Sequence, residues 1–567
     1  MEQQTPPRNA TATSRWLDDF FATYYRRRPV NATFTGIHAY DDRLPDWSAA
    51  GLDAAMAEME AQRRALATLP SEALDAATAL DRDLAAGFLD IALWEYGSPR
   101  FQRGNPSMWI GEAVFGLIGL FLRPFAPLDE RVGNAVARLE AIPTFLAQGR
   151  ALLTRCPAAW VERALVECTG TLAFLSGGVD ILIADHGLAA TGLRHAADRA
   201  ARAVTEFADH LTSLLEHPHE DYACGEEALD LLLRRGHFLE RSTADIAAAA
   251  RAQMAASRAV LDAGASAFGA ASPDEALAGL SALHPTTNDY YARYAELWDQ
   301  SRAAARRADL ITWPEAPVRY IPRPAWARAA APALYFLFYR SPAPYDPTTP
   351  LDYLVTPIDE ATLAAEQDAL LRANNDSVIK LNHVVHHGGI GHHIQNWHAA
   401  RAASRVGRVA AVDCASRIAF FCGGTMAEGW ACYTTELMAE TDFLSPLERY
   451  EGHYARLRMA ARALVDVDLH TGRLSLDEAT AVYRDEVGMS PAAARSEAAR
   501  NSMYPGAALM YLIGTDMIHA LRKEHQERLG AAFNLRAFHD RFLSYGSIPV
   551  SLIGAAMRQE DAHAPAQ

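Results

Sequence analysis

Six of the twenty histidines in this 567-residue chain fall between His383 and His398, in the run His-Val-Val-His-His-Gly-Gly-Ile-Gly-His-His-Ile-Gln-Asn-Trp-His. Imidazole is the commonest metal ligand and the side chain that titrates nearest neutrality, so the run points to coordination or proton transfer. On a continuous helix His383 and His387 share a face within reach of one ion. His386 and His393 share a face too, but seven residues at about 1.5 Å each set them roughly 10 Å apart. Gly388, Gly389 and Gly391 weaken helical geometry and permit a bulge or bend, after which His386 converges with His392 or His393.

A carboxylate completes the set. Thr425 to Glu440 reads as a helix, and Glu428 sits in its apolar part, where an ionised group is costly unless paired or bound to a metal. Two histidines and one carboxylate leave an open position, as in His2Glu zinc sites and in the facial triad of non-haem iron. Zinc is the first expectation for a single divalent ion, and iron, manganese or copper suit the same ligand types. Glu436 and Glu440, further along, read as solvated helix acids.

These residues need a frame, and the chain supplies a mostly helical one. From Trp16 to about Leu310, alanine, leucine, arginine and glutamate dominate, with prolines and glycines at helix-length intervals. Asp129 is an N-cap candidate for a helix whose face carries Val132, Val136, Leu139 and Ile142. Ala247 to Ala256 reads as a helix former. Between Trp313 and Ile358, ten prolines alternate with Tyr320, Tyr335, Phe336, Phe338, Tyr339 and Tyr353, which predicts a small sheet or hairpin bordering the site or packing beneath it. Helical pattern returns at Glu360, with a further helix from Leu447 to Val467 ending in Asp466, Asp468 and His470. Ser475 to Glu478 is a capping box, and Ser490-Pro491 opens another helix. The expected organisation is an arm over 1–14, a helical scaffold lobe over 15–312, a β-rich segment over 313–358 and a helical metal-site lobe over 359–567.

The motif residues resemble a bacterial family called domain of unknown function 885, whose signature is His-Glu-x-x-Pro-Gly-His-His followed by a Glu-Gly-Trp helix. The resemblance extends to Arg28–His38, Tyr40–Asp46, Arg131–Leu153, Asp466–His470, Arg500 to Gly506, Tyr511–Gly514 and Ser547–Pro549. It implies a mainly helical fold akin to the helical zinc-metallopeptidases, with a central cleft. It also implies a ligand set of His386, His392, His393 and Glu428. One position departs: His387 stands where the family has the glutamate that would deprotonate water, and Ile390 stands where it has proline. Neutral imidazole can accept a proton but lacks the carboxylate's attraction to the metal, so His387 is a replacement base, an added ligand, or the mark of a site that no longer hydrolyses. Tyr511 is the candidate oxyanion donor, Arg500 a partner for a substrate carboxylate or a structural group, and His470 a further catalytic candidate. Asn501 and Ala507 replace the family's tyrosine and glutamine, which indicates altered substrate contacts.

Composition narrows the partners. A formal charge of −16, from 53 basic and 69 acidic residues, argues against a nucleic-acid surface and provides no basic tail for membranes. Met1 to Ser14 is polar and reads as neither signal nor anchor, and the apolar run Trp109 to Leu122, which contains Glu112, is short for a membrane span. Six cysteines without a Cys-x-x-Cys pair fit reduced thiols in the cytoplasm. The expectation is a cytoplasmic metal-dependent hydrolase acting on a peptide or amide-like bond of a small soluble substrate. A metal-dependent lyase, isomerase or oxygen-using enzyme on a small metabolite is the first alternative. A non-catalytic binding protein on a metallopeptidase scaffold is the second.

Overall fold

The computed structural model describes residues 11–69, 74–328, 342–346, 350–359, 362–412 and 423–563. Most of the expected 1–14 arm lies outside this set, as do Tyr335, Phe336, Phe338 and Tyr339 of the aromatic segment and Cys414 and Cys422. The last three arm residues already belong to the first helix, Ala12–Arg27, because the Thr11 side chain accepts the Ser14 N–H at its start. That helix buries Trp16, Leu17, Phe20, Phe21, Tyr24 and Tyr25, a one-and-four spacing that lays one stripe on the core.

The chain is mainly helical, and its apolar residues form two cores. The larger takes in most of the first 200 residues, the sheet, and the His383 and Glu428 regions. The smaller joins Trp160 and the segment from Tyr222 to Ala276 to residues between Cys432 and Ile513. Both cores therefore mix residues from before position 312 with residues from after 359, so neither expected lobe buries its apolar surface by itself. Leu128–Leu152 begins two residues earlier than an Asp129 N-cap would have it. Pro127 occupies the N-cap position, and Asp129 lies in the first turn, where it meets the positive end of the helix dipole. Ala247 to Ala256 lies inside Thr243–Gly264, and Pro106–Ile118 is the buried apolar helix. Ala158–His186 is longer, and its composition would allow a membrane span; half of its most apolar window packs within the protein, as a core helix does. The four described cysteines are free thiols.

Among its described residues the proline-rich segment forms a parallel sheet, the first of the two expected arrangements. β1 (Val318–Pro322) and β2 (Leu351–Val355) pair in parallel, with Tyr320 opposite Tyr353. Parallel strands need a long crossover, and the intervening chain is long enough to provide it. Five helical elements then build the candidate site: Ile379–Gly388, His392–Ala399, Gly424–Ala439, Pro446–His470 and Met510–Leu529.

Candidate metal centre

The histidine run is wound more loosely than an α-helix. Ile379–Gly388 is a π-helix, whose wider turn brings successive side chains closer in direction, and the rings of His386 and His387 stand 4.5 Å apart. The chain then doubles back. A Cβ on Gly391 would lie 2.1 Å from the His386 carbonyl oxygen, so only glycine fits this close approach. Two buried indoles hold the turn: Trp298 Nε1–H donates to Gly388 O (2.8 Å) and Trp430 Nε1–H to Ile390 O (2.9 Å). From below, the Tyr320 hydroxyl donates to His383 O, and the Tyr353 hydroxyl is hydrogen-bonded to His383 Nδ1 at 2.6 Å. The sheet thus packs against the π-helix, and His383 is committed to it instead of sharing an ion with His387.

The turn delivers His392 to His386, ring centroids 4.9 Å apart and perpendicular. One ring nitrogen from each of His386, His387 and His392 lies within 4.8 Å of the others. Glu428 Oε2 completes the group, 3.4 Å from His386 Nε2 and 3.5 Å from His392 Nε2. Partners behind two of the rings set their orientation. His387 Nδ1–H donates to Asn382 O (2.7 Å), and His392 Nδ1–H to Gln395 Oε1 (3.0 Å), whose own Nε2–H donates to Ser547 Oγ (2.6 Å). When either ring is neutral, its basic lone pair is then on Nε2. Burial, followed by the neighbouring His386 and His392, holds His387 well below the usual imidazole range. Burial also lowers His386, with Glu428 acting against it. Burial alone would raise Glu428, but His392 and His386 hold it well below the usual carboxylate range, so it stays ionised. The side chains of His386, His392 and Glu428 keep 16%, 13% and 22% of their exposure, so solvent reaches them.

Glu428 and Tyr511 are placed by one contact. Gly429 and Gly514 meet backbone to backbone where their helices cross; a Cβ on Gly429 would fall 2.6 Å from Gly514 Cα. Tyr511 lies one turn before Gly514. Burial raises its phenol, and the Glu428 charge raises it further, so it remains an O–H donor. Arg500 Nη2 lies 3.4 Å from Tyr511 Oη, and the Arg462 guanidinium sits 4.9 Å from the Tyr511 ring centre.

Other expected residues stand elsewhere. His393 points away from the group, its Nε2–H donating to Ala316 O (2.7 Å), so of the two adjacent histidines the turn selects His392. His470 is fully buried and donates from Nε2 to Asn501 O (2.9 Å). Its neighbour Asp466 accepts the Gly506 and Leu509 N–H groups, both at 2.9 Å, across the Pro505-Gly506 break, where Gly506 has a φ of 74°. These two residues fasten the backbone and touch no part of the imidazole group. Asn501 belongs to the same fastening through the Tyr483 hydroxyl. Glu436 pairs with Arg456 and His519, and Glu440 with Arg522, so these acids are held in ion pairs. The sequence reading passed over Gln395 and Arg462. Arg458 and Arg462, one turn apart in an Ala-, Leu- and Val-rich helix, were the visible signal for the second.

No curated protein matches the chain. Among solved structures, it resembles a protein described as a lipoprotein of unknown function from Shewanella oneidensis, at 22% identity and a TM-score of 0.75, with 97% of this chain and 100% of that chain covered. It also resembles a protein from Colwellia psychrerythraea that is likewise described as a lipoprotein, at 17% identity and a TM-score of 0.77, with 97% and 99% covered. These likenesses concern the fold. The profile of the bacterial proteins of unknown function DUF885 matches residues 29–557, nearly the whole chain, and the protein belongs to that family.

Proposed function

We propose that the protein is a metal-dependent hydrolase of a peptide or amide-like bond in a small substrate, with His386, His392 and Glu428 as ligands. The observation that carries this is the spacing of the donor atoms. Zinc with nitrogen ligands at about 2.0–2.1 Å in a tetrahedron has edges of about 3.3–3.4 Å. The separations from Glu428 Oε2 to the two imidazoles, 3.4 and 3.5 Å, match such edges. A divalent ion held there would supply Lewis acidity toward a carbonyl oxygen and acidify water. His387, its lone pair on Nε2, receives a proton beside that position. Tyr511, kept as a phenol, donates to the oxygen on which negative charge develops, and Arg500 orients it.

A second reading has its own support. Burial makes His387 a weak proton acceptor, and its ring nitrogen stands with those of His386 and His392, so a third imidazole ligand is the competing role. That set suits softer or redox-active metals and chemistry other than hydrolysis. Elemental analysis of wild type and His387→Glu, with cleavage of blocked dipeptide amides, separates the two. One zinc in both proteins and faster cleavage by the variant support the replaced base. A different metal in wild type, exchanged or lost in the variant, supports the ligand.

A further inference from the structure

Tyr511 belongs to two charged groups, and the second is built from guanidinium ions. Arg458 and Arg462 project from Pro446–His470 one turn apart, and Arg500 comes from Pro491–Met503. Glu497 Oε1 is 2.6 Å from Arg462 Nε and 3.9 Å from Arg500 Nη1. Glu451, the other acid near Arg458, lies where burial favours its neutral form. Arg458 Nε is buried with no hydrogen-bond partner among the described residues. Glu428, the carboxylate of the first group, is held by two imidazoles. The Arg462 charge reaches His386, and both Arg458 and Arg462 act on Cys432, one turn beyond Glu428. The side chains of Arg462 and Arg500 keep 16% and 25% of their exposure, comparable to the imidazoles, so one solute can meet both groups.

We propose that Arg458, Arg462 and Arg500 receive a free carboxylate of the substrate, joined to the imidazole group through Tyr511. Guanidinium forks match a carboxylate in charge and in paired N–H geometry. The substrate class is then a short peptide or N-acyl amino acid with its carboxylate intact. What happens to that substrate rests on the hydrolase reading, but the binding of its carboxylate does not.

Calorimetric titration of the full-length protein, both chelator-treated and zinc-loaded, with acetyl-dialanine and with its C-terminal amide tests the proposal. The acid should bind at least about tenfold more tightly than the amide in both forms, a tenfold ratio being the step that one well-made charged contact readily supplies. Arg458→Gln should remove most of that preference and leave amide binding unchanged, and Arg500→Gln should also remove most of the preference. Equal affinity for acid and amide in wild type overturns the proposal, as does undetectable binding of the acid or an Arg458→Gln protein that keeps the preference. A protein that prefers the acid yet takes up no zinc, or cleaves nothing, loses the hydrolase reading and keeps the carboxylate site.

Discussion

Two of the places where this protein brings histidine together with a carboxylate use the pair oppositely. At Asp466 and His470 the side chains point at the main chain: the acid holds the Gly506 and Leu509 N–H groups and the imidazole holds Asn501 O, with no exposure at either residue. At His386, His392 and Glu428 the side-chain atoms point at one another, and solvent reaches all three. The first arrangement spends its polar atoms on closing a chain break. The second gathers electron-rich atoms that repel unless protons or a cation lie between them, and this difference, more than residue type, distinguishes a candidate site from a fastening.

The largest expected effect falls on the proposed ligands. His386→Ala and Glu428→Ala should each weaken zinc retention by about 3–4 kcal/mol, several hundredfold, as an even share of the roughly 10–16 kcal/mol of a four-ligand zinc site. Competition with a fluorescent chelator measures it, and wild-type retention in either variant would remove the assigned set. Asp466→Ala should do the reverse, lowering stability by about 2–4 kcal/mol through two unsatisfied buried N–H groups while metal content stays unchanged. Loss of metal in that variant would erase the contrast between the two regions.

The fastening also has a pH signature. Burial raises Asp466 to about 7 and lowers His470 to about 3. The folded pair then carries its proton on the acid and the unfolded pair carries it on the imidazole, so between pH 3.8 and 6.5 the counts are equal and the pair contributes no slope. In His470→Gln the raised acid acts alone: the folded state holds a proton that the unfolded state releases above pH 3.8. Stability should therefore fall by up to about 4 kcal/mol as pH rises from 3.8 to 7. Urea unfolding of wild type and variant across that range reads this directly, and parallel pH curves would count against the paired arrangement.

Smaller effects sharpen the account of the site. Gly391→Ala forces a Cβ onto His386 O, and should cost about 1–3 kcal/mol in urea midpoint together with weakened zinc binding. Unaltered zinc affinity would show that His386 and His392 converge without that turn. Gln395→Leu removes the acceptor behind His392 and the donor to Ser547, and should weaken zinc about tenfold at a stability cost of about 1–3 kcal/mol.

Much of this frame was legible in the residues because helix formers and caps act locally: Ser475 with Glu478, and Ser490 with Pro491, cap their helices as their spacing predicts. The concentration of histidines around three glycines likewise marked the site and its bend. The choice between His392 and His393 was not legible, since it depends on a carbonyl at Ala316, far away in sequence. The π-winding was hidden too, because it follows from packing against Trp298, Tyr320 and Tyr353 and from no local propensity. His470 looked chemical for the reason that makes it structural: a polar side chain at a buried helix end must find a partner, and the sequence does not say whether that partner is substrate or backbone.

The crossing at Gly429 and Gly514 limits how the imidazole group can vary. Any side chain at either position would wedge the two helices apart and carry Glu428 away from Tyr511, so the gauge of the site is set by atoms that are missing. Position 387 bears no part of that spacing. A substitution at 387 can therefore alter the imidazole group while the gauge of the site stays fixed.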